Sequence, residues 1–215
     1  MGRSNEKKTV SETDTAVRGP GAALIAKVAT EVPYAVEATL VGECPILFHR
    51  WDCDAVESKG RAKKNSAEKK TDNLEAYVYR CTDGTLGVPG VVLKATLVNA
   101  AKFSQDPRSP RKSAADIFKA GVFVATEIAS FGVTDWELVD RRRAMIQRQG
   151  ITRFRPGMLA GWKLAFEIRV ILPEYISQSF LHEVLGRAGR LVGLCDFRPE
   201  FGRFRVESCV LVSLA

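Results

Sequence analysis

Four glycines and four arginines interleave through the run GRAGRLVGLCDFRPEFGRF, as Gly186, Gly189, Gly193 and Gly202 against Arg187, Arg190, Arg198 and Arg203. Glycine lets backbone amides approach a phosphate closely, and the planar arginine guanidinium holds a phosphate through paired hydrogen bonds. The same residues have a plainer use, in which the glycines cap a helix and turn the chain into a strand while the arginines are solvated. Phe197 and Phe201 in this run are either stacking partners for bases or plugs of the core. A second run, RRRAMIQRQGITRFR, carries Arg141, Arg142, Arg143, Arg148, Arg153 and Arg155, with no acidic residue from Ala144 to Trp162. It reads as a β-hairpin turning near Gln149 and Gly150. Paired strands of one charge repel unless an anion or an acidic surface offsets them. The hairpin is therefore a candidate clamp on a nucleic-acid backbone, the alternative being a solvated hairpin paired with Glu137 and Asp140.

A third cluster, His49-Arg50-Trp51-Asp52 with Asp54, combines a possible general base, a cation, a stacking ring and two carboxylates. Such a set serves metal-dependent or acid–base phosphodiester cleavage, which makes His49 and Asp52 the candidate catalytic residues. His182 is the second imidazole. No phosphate-binding loop, nucleophile elbow, HExxH or usable GxGxxG is present, so the enzyme classes defined by those motifs are unsupported. The five cysteines are widely spaced, odd in number and form no CxxC pair, which argues against both zinc and a secreted disulfide framework. The reading calls for no metal and no cofactor.

Composition is that of an ordinary globular chain, with 46% hydrophobic and 27% charged residues among 215. No apolar run approaches the roughly 18 to 20 residues of a membrane span, and the polar start MGRSNEKKTVSETDT has no apolar signal core. The expected location is the cytoplasm. A net charge of +7 favours a polyanionic partner.

The elements that must position these runs follow from periodicity. Residues 1–31 read as a flexible arm, and 32–215 as one domain with insertions at about 52–73, Lys-rich and solvated, and 131–162. Tyr34 to Val41 alternates as a strand. Asp83-Gly84 between β-rich runs signals a hairpin, and Pro89-Gly90 opens a helix reaching Phe103. Ser104 to Ser113 reads as a loop, Ala114 to Ala120 as a short helix, and Gly121 to Ser130 as a central strand. Lys163 to Leu172 alternates cleanly, Glu174 to Leu191 is an amphipathic helix, and Phe204 to Leu214 is the last strand, with Val206, Val210 and Val212 on one face. The order is that of an α+β, ferredoxin-like (RRM-like) βαββαβ core carrying helices on one face of an antiparallel sheet.

On VEATLVGECPILFHRW, LGVPGVVLKATLVNAAKF and GRLVGLCDFRPEFGRFRV, the chain resembles the RAMP superfamily, and in it the guide-RNA-binding backbone subunits of CRISPR effector complexes. It is also similar to uncharacterised proteins encoded by bacteriophages. The resemblance implies a palm of this fold, a thumb-like hairpin where Arg141 to Arg155 lie, and a loop and first helix that face RNA through His49, Arg50 and Lys94. It further implies a homo-oligomer, or a subunit of a larger ribonucleoprotein, assembled along single-stranded RNA or DNA. The expected function is non-catalytic binding of a single strand, RNA favoured. A RAMP-type endoribonuclease and a phage structural or assembly protein are the alternatives.

Overall fold

The structure, a computed structural model, describes residues 32–61, 73–146 and 149–213. The expected N-terminal arm, most of the Lys-rich run, Arg148 and Leu214 lie outside the described residues.

The alternating segment Tyr34–Gly42 forms β1, with Tyr34, Val36, Ala38 and Leu40 buried and Glu37 exposed. It is a central strand, flanked by β11 (Lys163–Val170) and β12 (Phe204–Val212), and β7 (Val122–Val124) closes the far edge, giving the order β12-β1-β11-β7 with every neighbour antiparallel. One face of this sheet buries Leu164, Phe166, Ile168 and Val170 in a single core with Leu93 and Leu97 of helix α2 (Gly90–Ala101), Phe118 of α3 (Ala115–Gly121) and Leu181, Val184 and Leu185 of α4 (Gln178–Arg187). α4 starts where Ser177 accepts a hydrogen bond from the Phe180 amide at 3.2 Å, the usual N-cap arrangement. The chain is thus α+β, and among the described residues no helix is long and apolar enough to cross a membrane.

Two smaller sheets position the candidate site. β2 (Ile46–Leu47) pairs with β10 (Gln149–Met158), which pairs with β9 (Leu138–Ile146); β3 (Tyr79–Arg80) pairs with β4 (Leu86–Pro89), which pairs with β8 (Ile128–Ser130). The Arg-rich hairpin is therefore rooted in the loop after β1.

Several expectations need correction. Gly121 to Ser130 is no central strand: β7 is an edge strand, and the chain leaves the sheet after Val124 to build β8. The start of α2 explains the break, since the Gly90 amide donates to the Glu127 carbonyl at 2.8 Å and a Cβ on Gly90 would lie 2.3 Å from the Thr126 carbonyl oxygen. Ser104 to Ser113 is a small hairpin of β5 (Gln105–Asp106) and β6 (Ser109–Ser113), closed by the buried Asp106 carboxylate, which accepts from the Arg108 amide at 2.9 Å and from its guanidinium. The first part of the Lys-rich insertion is helix α1 (Cys53–Arg61), supported by an exposed Glu57–Arg61 pair at 3.3 Å. The glycine run is not loop from Gly186: α4 continues as a π-turn, Ala188–Val192, so only 193–203 is loop. In β12 a register shift sets Thr39 against Ser208 but Leu40 against Val206. The extra residue, Glu207, reverses the alternation, so Val210 is 59% exposed and Cys209 packs on the core instead.

Candidate nucleic-acid interface

β2 joins the two arginine-bearing elements. On one side Leu47 and Ile46 pair with Gly157 and Met158 of β10, and the Phe48 amide donates to the Pro156 carbonyl at 2.8 Å. On the other side Leu47 bridges to Asp196 of the glycine-rich loop, whose amide donates to the Leu47 carbonyl at 3.0 Å. Two residues of strand therefore hold the hairpin and the loop against one another.

Register divides the arginines of the hairpin between its faces. Gln149 and Gly150, expected at the turn, already pair with Ile146 and Met145 as part of β10, and Arg153 and Arg155 stand opposite Arg142 and Asp140 on one face. That face lies over the loop. Arg155 is 7% exposed and donates through Nε to Asp196 Oδ2, with its guanidinium 5.5 Å from the centre of the Phe197 ring. Its Nη1, like Asp140 Oδ2, is buried without a hydrogen-bond partner, a cost that the ion pair and the ring contact offset. Arg142 pairs with Asp140 at 2.7 Å and sits 5.3 Å above Phe197 and 4.6 Å above Phe201. Arg153 donates to the Tyr77 hydroxyl at 3.2 Å. On the opposite face Arg141 lies 5.5 Å from its cross-strand neighbour Phe154, and Arg143 is exposed. Like-charge repulsion between Arg142 and Arg153 is thus met partly by rings and by Asp140 and Asp196, within the protein.

The glycines serve packing rather than phosphate approach. A Cβ on Gly189 would stand 1.9 Å from the Phe204 carbonyl oxygen, and one on Gly202 would stand 2.0 Å from that of Leu194. The loop amides are engaged internally: Gly193 donates to Ala188, Leu194 to the Gly202 carbonyl, and Gly202 to Pro45. These glycine amides are therefore already spent within the protein. Asp196 lies between two non-glycine residues in the left-handed region, Cys195 at φ 60° and Phe197 at φ 59°. Backbone of this kind is costly and recurs at ligand sites.

Between the β1 loop, the start of α2 and this loop lies a cavity of about 300 Å³. Phe48 and His49 form one wall, Val91, Val92 and Ala95 of α2 another, Tyr79 and Pro89 the floor, and Cys195, Asp196 and Arg198 the third side. The His49 ring stacks on Tyr77 at 4.7 Å, and Arg50 lies 5.4 Å from the Tyr79 ring centre. Arg198 is exposed and comes within 3.5 Å of Thr96 Oγ1. Burial pushes the Cys195 thiol up to about 12, the nearby Arg198 only partly opposing this, so Cys195 is a neutral wall at physiological pH.

The expected residues are therefore gathered in part. His49 and Arg198 line the cavity, with Arg50, Arg142, Arg153 and Arg155 around it. Lys94 is half-buried one turn along α2 and does not line it. Asp52 lines a separate depression with Arg50 and Arg80, so His49 and Asp52 do not share a cavity. Arg187 is turned to the far end of α2, roughly 18 Å away at 1.5 Å per residue, where it donates to the Phe103 carbonyl at 3.1 Å, to Ser104 Oγ and to Glu183. Arg190 is exposed on the π-turn, and Arg203 is tied to the Pro199 carbonyl at 2.8 Å. Sequence reading missed Tyr77 and Tyr79, which it took only as part of the β-rich run before the Asp83-Gly84 turn. The open face of the main sheet sets Glu37 directly opposite Glu167 and pairs Arg169 with Glu167 and Lys163 with Glu207, so its cations are already neutralised by carboxylates.

No protein-family model matches the chain, and no curated protein matches it significantly in sequence. Among the described residues no group of His, Cys, Asp or Glu is arranged to hold a metal ion.

Proposed function

We propose that this chain is a non-catalytic protein that binds single-stranded nucleic acid, RNA in preference to DNA, in the groove between the loop after β1, the start of α2 and the glycine-rich loop, beside the Arg-rich hairpin. The observation that carries the reading is the convergence on one cavity of His49, the start of α2 and Arg198, beneath a hairpin face whose arginines lie over aromatic rings. Cations interleaved with rings are the means by which proteins hold a single strand, the cations on phosphates and the rings on bases.

The strand order β12-β1-β11-β7, with α2 and α4 as connections, supports reading the main sheet as a ferredoxin-like βαββαβ core. The hairpin enters between β7 and β11, where a thumb would enter in the RAMP superfamily. Repeating assembly along the strand, in a CRISPR-type or phage-encoded complex in the cytoplasm, belongs to the same proposal.

Fluorescence anisotropy with a labelled single-stranded RNA tests it. If Arg142, Arg153 and Arg198 each neutralise a phosphate, the logarithm of affinity falls with that of salt with a slope of about −2, or roughly 20-fold between 50 and 200 mM. Arg142→Glu with Arg198→Glu should abolish binding while leaving the circular dichroism spectrum unchanged. Affinity indifferent to salt, or retained in the double variant, removes the proposal and leaves an acidic protein surface as the partner to seek.

A further inference from the structure

The cavity beside His49 has a composition that simple backbone binding does not require. Its walls are apolar at Phe48, Val91 and Ala95, and its charged groups are confined to the third side, where Asp196 and Arg198 stand. At about 300 Å³ it is at the small end of the roughly 300–1,000 Å³ range of small-ligand pockets, large enough for one flat heterocycle and too small for a stacked pair. An apolar slot with a cation at its mouth suits a ring that is itself attached to an anionic chain.

Asp196 decides which ring. Arg155 takes Oδ2, and the Asp196 amide is fixed on the Leu47 carbonyl, so backbone and side chain are both held in place. The second carboxylate oxygen remains to accept from a ligand. An ionised carboxylate accepts and cannot donate, so it rewards an amino group and penalises a carbonyl at the same position. The left-handed conformations of Cys195 and Phe197 on either side of Asp196 hold it there at a backbone cost.

We propose that this cavity is a nucleobase pocket that takes one base splayed out of the bound strand and selects, through Asp196, a base with an exocyclic amine: cytosine over uracil, and purines likewise. Phe48 and the α2 residues enclose the ring and Arg198 meets the adjoining phosphate. This rests on the reading of the groove as a single-strand site.

The test compares 12-residue oligocytidylate and oligouridylate, equal in charge and sugar, against the full-length protein by anisotropy at pH 7.5. Wild-type protein should bind the cytidine strand about tenfold more tightly, the size of one charge-assisted hydrogen bond. Asp196→Asn should erase or reverse that ratio. Because this variant also loses the Arg155 pair, Ala95→Phe is the second arm: it fills the cavity from the exposed side of α2, and should equalise the two strands while leaving the salt dependence intact. Equal affinity of wild-type protein for the two strands, or a preference that survives Ala95→Phe, overturns the pocket and leaves the groove standing. Failure of wild-type protein to bind either strand at low salt overturns both. Free cytidine monophosphate that competes as well as the strand would place the ligand as a mononucleotide, and so would also overturn a pocket for a base within a strand.

Discussion

At the scale of the residue, arginines that look alike in sequence have separate tasks. Arg155 is an internal strut, buried against Asp196 and Phe197, whereas Arg198 is exposed at the mouth of the cavity. Removing Arg155 deprives Asp196 of its partner, but that carboxylate is 32% exposed and water compensates it in part, and the unpaired Nη1 goes as well. Arg155→Met should therefore destabilise the fold by roughly 1–2 kcal/mol in denaturant unfolding, and Arg198→Ala by less than about 0.5 kcal/mol. The opposite ranking would mean that Arg155 is held for a ligand. A chemical prediction follows from burial of the Cys195 thiol: with iodoacetamide at pH 8, mass spectrometry should find exposed Cys53 alkylated first and Cys195 last. Sequence composition marked both arginine runs but could not separate strut from contact, because the distinction depends on cross-strand register and on a bridge between Leu47 and Asp196, residues far apart in the chain.

At the scale of the element, the glycines show why the loop was only half legible. Their number suggested phosphate approach, but Gly189 and Gly202 are required where the loop crosses the Phe204 and Leu194 carbonyls. Gly202 also has φ 74°, so Gly202→Ala adds a left-handed penalty to a clash and should cost about 2 kcal/mol or more in unfolding free energy. Gly186 has nothing but the tip of Arg190 nearby, and Gly186→Ala should be neutral or slightly stabilising, as expected for glycine within a helix. Strongly alternating segments such as β1 and β11 were plain in the sequence, since one buried face imposes a period of two. β7 and β12 were misread for opposite reasons: a continuous apolar run hid the break after Val124, and a bulge at Glu207 shifted an otherwise clean alternation.

At the scale of the whole molecule, charge is distributed by face. The open side of the main sheet carries Glu37 against Glu167 together with Lys163 and Arg169, which are spent on ion pairs with Glu207 and Glu167, while the hairpin side carries exposed Arg143 and Arg198. A bound strand should accordingly protect the hairpin, the 193–203 loop and the start of α2 from hydrogen exchange and leave the β1 and β11 amides unchanged. Protection spread over the open sheet face would contradict the proposed groove. Stability should be sensitive to acid for a local reason. The guanidinium of Arg108 beside Asp106, and that of Arg80 beside Glu75, hold both carboxyls below their ordinary range. The unfolded chain then binds protons before the folded one does, so stability present above about pH 5 should decline as pH falls below about 4. Asp106→Asn should flatten that decline in thermal melts.

The placement of β1 also constrains how the chain can be made. Its partners β11 and β12 are the last strands in the order, and Ala35 pairs with Val212. At about 5–20 residues per second, a ribosome needs roughly 10 to 35 s between adding these two residues. Until β11 follows, Val36, Ala38 and Leu40 have no strand to pair with, and β1 keeps one open edge until β12 is added. The nascent chain must therefore be sheltered, and a product released before β12 should be bound by chaperones or aggregate rather than persist as a folded fragment.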